Sequence, residues 1–274
     1  MLCKQTKYIP ILPREKGLGD EGVRVYTAPM RRLSFVSLLA ISSLCLPVAA
    51  CKKAMHQPAV SLENPNNAGL TREQLEPKAA AGDADAMFRL GAIYHDGDGA
   101  LQNYAKAKQY FEAAAAAGDS RSAFNLGIMY LKGQGVSESV RTARVWFEKA
   151  TEGGDAKAHH QLGLMYYQGI GGLKKDFAHA KDCFEKAARQ GIPDAQYNLG
   201  ILYIRGEGVA QDPVEGYAWL AVARTYGYQK AVAALAKLEQ QIPEDVQKKG
   251  RERAETLSDT VEAGKAVRAA PQIQ

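Results

Sequence analysis

Residues 118–136 read G-D-S-R-S-A-F-N-L-G-I-M-Y-L-K-G-Q-G-V, and residues 143–150 read A-R-V-W-F-E-K-A. The same pattern occurs once before this stretch and twice after it. Its Leu-Gly step recurs at Leu90-Gly91, Leu126-Gly127, Leu162-Gly163 and Leu199-Gly200, at spacings of 36, 36 and 37 residues. Such a period predicts a solenoid, in which each unit buries its apolar face only against its neighbours.

Each unit reads as two helices. Asp83, Asp119 and Asp155 stand where a carboxylate accepts the free N–H groups of a first turn. The fourth unit opens with Ile192-Pro193-Asp194 instead, and Pro suits a first helical position. Phe124, Leu126, Gly127 and Tyr130 keep helical spacing. Gly133 and Gly135 end that helix, since the left-handed conformation is least strained at glycine. Gly97/Gly99, Gly169/Gly171 and Gly206/Gly208 repeat the pair. The second helix opens near Asn103, Ser139, Asp176 and Asp212. Its stripes are Ala107-Phe111-Ala114, Ala143-Phe147-Ala150, Ala180-Phe184-Ala187 and Gly216-Leu220-Ala223. Gly91, Gly127, Gly163 and Gly200 lie inside first helices, where glycine costs about 1 kcal/mol relative to Ala. Close helix–helix contact is expected at each.

These residues resemble the Sel1-like repeat family, relatives of tetratricopeptide repeats. The shared pattern is A-x-x-G-D-A-x-A-x-x-x-L-G-x-x-Y-x-x-G-x-G-V, followed by A-x-x-W/Y-F/L-x-x-A. It covers about Pro77 to Ala223 in four units. Ala100 and Leu173 stand in place of Val, Gly172 is inserted, and Gly216 replaces Ala. The resemblance implies an all-α, right-handed α-solenoid that usually serves as a protein-binding scaffold.

The chain has 274 residues, 46% hydrophobic and 24% charged, enough for a sizeable core. Residues 1–29 lack periodicity and read as an extension or a mis-called start ahead of Met30. Residues 30–50 combine Met30-Arg31-Arg32, an apolar run and small residues, which reads as a secretory signal. A membrane-spanning anchor is the alternative. Val48-Ala49-Ala50-Cys51 resembles the lipobox of bacterial lipoproteins, which implies cleavage before Cys51 and its lipidation. Lys52 follows, where Asp would retain a lipoprotein in the inner membrane, so the resemblance implies the periplasmic face of the outer membrane. Several acyl chains anchor stably where one is marginal. Residues 51–76 read as a flexible tether. Residues 77–223 are the four repeats. Residues 224–258 read as capping helices over the last open edge, and 259–274 as a frayed tail.

Seven of the 35 Lys/Arg and three of the 30 Asp/Glu precede Cys51, which leaves 28 against 27. The sequence pI near 8.9 is therefore no argument for nucleic acid. Cys183 occupies the position of Tyr110, Trp146 and Trp219, so it reads as a buried hydrophobe or a reactive thiol. It has no paired cysteine of the kind found in disulfide-rich Sel1-like proteins that act on β-lactams. His159 and His160 are adjacent and point to different sides of a helix, which is no ligand set. Asp96-x-Asp98 lacks the further oxygen ligands of a calcium loop. No nucleophile elbow, phosphate loop or zinc-protease motif is present. Neither catalysis, metal nor cofactor is expected.

The candidate site is positional. The resemblance places first helices along a concave groove. Phe88, Phe124, His160 and Tyr197 then form an aromatic column beside a polar row of Arg89, Asn125, Gln161 and Asn198. The aromatics read either as peptide anchors or as interhelix core, and the polar row is expected to face solvent. The expected function is a scaffold or adaptor for an envelope protein or extended peptide. The rivals are a β-lactam- or cell-wall-acting enzyme and an immunity protein for a secreted toxin.

Overall fold

A computed structural model describes residues 69–97 and 101–269. These residues form eleven helices joined by short turns. They are α1 (Arg72–Ala80), α2 (Ala84–Asp96), α3 (Tyr104–Ala116), α4 (Ser120–Lys132), α5 (Val140–Glu152) and α6 (Ala156–Gln168). The series continues with α7 (Phe177–Ala188), α8 (Pro193–Arg205), α9 (Pro213–Thr225), α10 (Gln229–Glu239) and α11 (Glu244–Ala269). Each first helix (α2, α4, α6, α8) packs most closely against the second helix that follows it, and each second helix hands the chain to the next unit. The result is an all-α solenoid.

The expected caps form. Asp119 accepts the Ser122 N–H at 2.8 Å and Asp155 the Ala158 N–H at 2.7 Å. Asn103, Ser139, Asp176 and Asp212 cap the second helices. Ile192 offers no side-chain cap, and Pro193 opens α8 with one N–H fewer to satisfy. First helices end at Gly97, Gly133, Gly169 and Gly206, all left-handed. The extra residue of the third unit, Gly172, is absorbed at φ +85°.

The mid-helix glycines are filled by the neighbouring ring. A Cβ placed on Gly91 would lie 2.6 Å from the Phe111 ring, and one on Gly163 would lie 2.6 Å from the Phe184 ring. Gly127 meets Phe147 in the same way. The fourth unit solves the problem differently. There a smaller Leu220 faces Gly200, and a Cβ on either Gly200 or Gly216 would lie 3.0 Å from the other's carbonyl oxygen. The Gly216 departure therefore accompanies a closer backbone approach.

Both ends differ from expectation. Residues 72–76, assigned to a tether, belong to α1, because Leu75 and Ala79 bury against Ala86 and Leu90. This helix covers the first open edge of the array. At the other end, α11 continues to Ala269 in place of a tail beginning at 259. Leu257 and Val261 bury with Trp219 and Val222, which holds the helix beyond Ser258. The whole run 216–223 of α9 is buried, whereas other second helices bury three or four positions. Helix α11 lies over the additional face, with Gly250 against Tyr217 and Arg253 bonded to Glu215 at 2.5 Å.

Leu257→Ala and Val261→Ala should therefore each destabilise the protein by about 2 kcal/mol or more through lost burial. Together they should shift Trp219 emission to the red. Wild-type unfolding midpoints and emission in both variants would show that α11 is a passive tail.

Candidate binding face

Residues two positions after each first-helix start signal lie one turn before the polar row, on the same stripe. This outer row reads Asp85, Arg121, Lys157 and Asp194, and Lys230 continues it on α10. The polar row follows, then Ala92, Ile128, Leu164 and Ile201, then Asp96, Lys132, Gln168 and Arg205. By the 100° helical step this stripe points roughly 130° away from the mid-helix glycines and the second helices they touch. We call this stripe, turned away from the second helices, the inner face.

The four expected anchors are core. Phe88 packs on Phe111 with ring centroids 6.1 Å apart, Phe124 on Phe147 at 5.7 Å, His160 on Phe184 at 5.8 Å and Tyr197 on Tyr228 at 5.5 Å. All four are buried, so an approaching peptide finds no open ring. Phe88, Phe124 and His160 point towards the second helix, which the glycine three residues later lets come close, and Tyr197 meets Tyr228 at the start of α10.

The polar row is only partly exposed, contrary to expectation. Asn125 and Gln161 are 4% and 3% exposed. Arg89 and Asn198 are half-buried. Arg89 donates to Asp85 at 2.9 Å, and Asn198 Nδ2 donates to His160 Nε2 at 3.1 Å. The row is thus closed over its middle members and partly open at Arg89 and Asn198.

The outer row adds charged links between units, and sequence reasoning missed it. Arg121 donates to Asp85 of the preceding unit at 2.9 Å and to its own cap Asp119 at 3.0 Å. Its guanidinium also stacks 4.2 Å from the Phe88 centroid. Tyr228 donates to Asp194 at 2.7 Å. Further along the face, Tyr167 donates to Glu207 at 3.1 Å and accepts from Arg205 at 3.2 Å. Comparing the residue two places after each cap would have exposed the charged row.

His160 is the one imidazole in the aromatic column. Burial lowers its pKa to about 4; the Asp194 carboxylate opposes that shift and Lys230 adds to it. The acceptor role of Nε2 towards Asn198 fits the neutral ring. Burial also raises the Cys183 thiol to about 11, so it is a poor nucleophile near neutral pH. No metal-binding cluster occurs among the described residues. No described helix is long and apolar enough to cross a membrane. Cys51 and the proposed signal lie outside the described residues.

Residues 84–119, 120–155, 156–192 and 193–223 each match the Sel1 repeat. Among solved structures, a protective antigen of uropathogenic Escherichia coli with an SLR fold is 25% identical, at a TM-score of 0.61. That alignment covers 74% of this chain and 50% of the antigen. A Sel1 repeat protein from Oxalobacter formigenes is 31% identical at a TM-score of 0.58, over 61% of this chain and 48% of the relative. The chain thus aligns with about half the length of each. No curated protein matches the sequence.

Below about pH 6.5 the unfolded chain protonates its histidine, while folded His160 stays neutral until about pH 4. Stability from this group is therefore present above 6.5 and is lost as pH falls through that window. Moving from pH 7 to pH 5 should remove about 2 kcal/mol through His160. His160→Phe, which restores the ring of the other units, should flatten that part of the slope in denaturant titrations. An unchanged slope would mean that His160 protonates freely in the folded protein.

Proposed function

The chain belongs to the Sel1 repeat family, and from that premise we propose that it is a protein-binding scaffold held at the periplasmic face of the outer membrane by a lipid on Cys51. The observation that carries the binding role is the inner face itself. Four units present equivalent positions side by side, and their rings are consumed as core while charged side chains stay partly exposed along the face. Such a surface suits a polar partner that spans several units, with each hydrogen bond adding about 0.5–1.5 kcal/mol net. The anchor rests on Val48-Ala49-Ala50-Cys51 at the end of an apolar run. In this reading no side chain performs catalysis.

Cross-linking in intact cells, followed by purification from the membrane fraction, tests the binding role. One protein should be enriched reproducibly, and its yield should fall when Arg121→Ala loosens the inner face. Recovery of no partner would remove the scaffold reading. Labelled palmitate tests the anchor separately. Wild type should incorporate the label, and Cys51→Ala should accumulate as a larger, unlabelled precursor. Unlabelled, soluble wild type would refute the anchor.

A further inference from the structure

Lys157 stands at a helix position where a cation is poorly placed. It is the second residue of α6, at the positive end of the helix dipole, where an acid is favoured. The equivalent Arg121 is compensated by Asp85 of the preceding unit and by Asp119. Lys157 lacks that compensation, because the preceding unit offers it Arg121, a like charge. The acid facing Lys157 is Asp155, whose carboxylate is already engaged with the Ala158 N–H. Lys132, at the other edge of the same stripe and on the preceding unit, is also partly buried. Burial pushes both ammonium groups below the ordinary lysine range, and neither forms an ion pair among the described residues. Between them, one turn beyond Lys157, the Gln161 Oε1 acceptor is buried without a hydrogen-bond partner among the described residues.

We propose that the inner face of the second and third units binds an extended acidic segment of the partner protein. Its carboxylates meet Lys157 and Lys132, and the buried Gln161 amide turns outward to accept a backbone N–H between them. The proposal rests on the scaffold reading and adds the chemistry of the partner. Desolvation of the two lysines is already present in the unliganded protein, so a carboxylate arriving there gains a charge-assisted bond with little further desolvation of the cation. The spacing suits a chain crossing the helices. Lys132 and Lys157 sit near opposite ends of adjacent first helices, which spreads the two charges over about 16 Å, or about five extended residues.

The probe is a fluorescein-labelled peptide of alternating Glu and Gly, followed by anisotropy against the full chain. Lys132→Gln with Lys157→Gln should bind about a hundred-fold more weakly, about ten-fold for each of the two charge-assisted bonds lost. Lys248→Gln with Lys249→Gln on α11, which removes the same net charge from exposed lysines, should bind as wild type. The first pair should melt close to wild type, since neither lysine forms an ion pair among the described residues. Equal weakening in both pairs would reduce the effect to net charge and overturn the proposal. So would full displacement of the peptide by an equal concentration of inorganic phosphate, or equally tight binding of anionic lipid vesicles. If the peptide fails to bind while a partner is still captured by cross-linking, the acidic-segment inference falls and the scaffold reading stands. If the peptide binds and no partner is captured, only the scaffold reading falls.

Discussion

A glycine on one helix and a phenylalanine ring on the next set the geometry of each of the first three units. Gly91 receives Phe111, Gly127 receives Phe147 and Gly163 receives Phe184. Glycine lowers the intrinsic stability of each first helix, and the contact it permits offsets that loss with a fully buried ring. The consequences reach the surface. Once the ring fills the gap, the aromatic three residues earlier is drawn into the same interface. Phe88, Phe124 and His160 become core, and the opposite stripe becomes the inner face. The fourth unit keeps the spacing by exchanging ring volume for backbone contact between Gly200 and Gly216.

The inner face is therefore electrostatic more than aromatic. Arg121 ties the first two units together through Asp85, and the sign of the outer row then changes what the next unit can do. Lys157 follows a cation and is left to the cap Asp155. A uniform alternation of charge would have closed the row on itself. The break in alternation leaves the middle of the array as the place where an anion is most favourably received.

Most of the architecture was legible in the sequence, because the cues are local and repeated. Cap residues, paired glycines and the Leu-Gly step each place a helix within a residue or two. The ends were less legible because they depend on partners distant in sequence. Leu75 buries against Leu90, which turns a polar segment with Pro77 inside it into a helix. Val261 buries beside Trp219, which no local pattern around Ser258 announces. The candidate site was half legible. Spacing put Arg89, Asn125, Gln161 and Asn198 on one stripe, but that Asn125 and Gln161 are buried while Arg89 and Asn198 are half-buried arises only in the packed array. The outer charged row was visible in outline, but Arg121 and Lys157 acquire different roles only through Asp85 in the preceding unit.

A double-mutant cycle at the second unit tests the glycine–ring contact most directly. The variants are Gly127→Ala, Phe147→Leu and the pair, each measured by denaturant unfolding. Gly127→Ala alone should destabilise by about 1–3 kcal/mol, because Phe147 occupies the site of the new methyl group. In the double variant the smaller leucine side chain should relieve that clash, leaving a coupling of about 1 kcal/mol or more. Additive losses, or a stabilising Gly127→Ala, would show that the helices do not depend on that contact and would contradict the account.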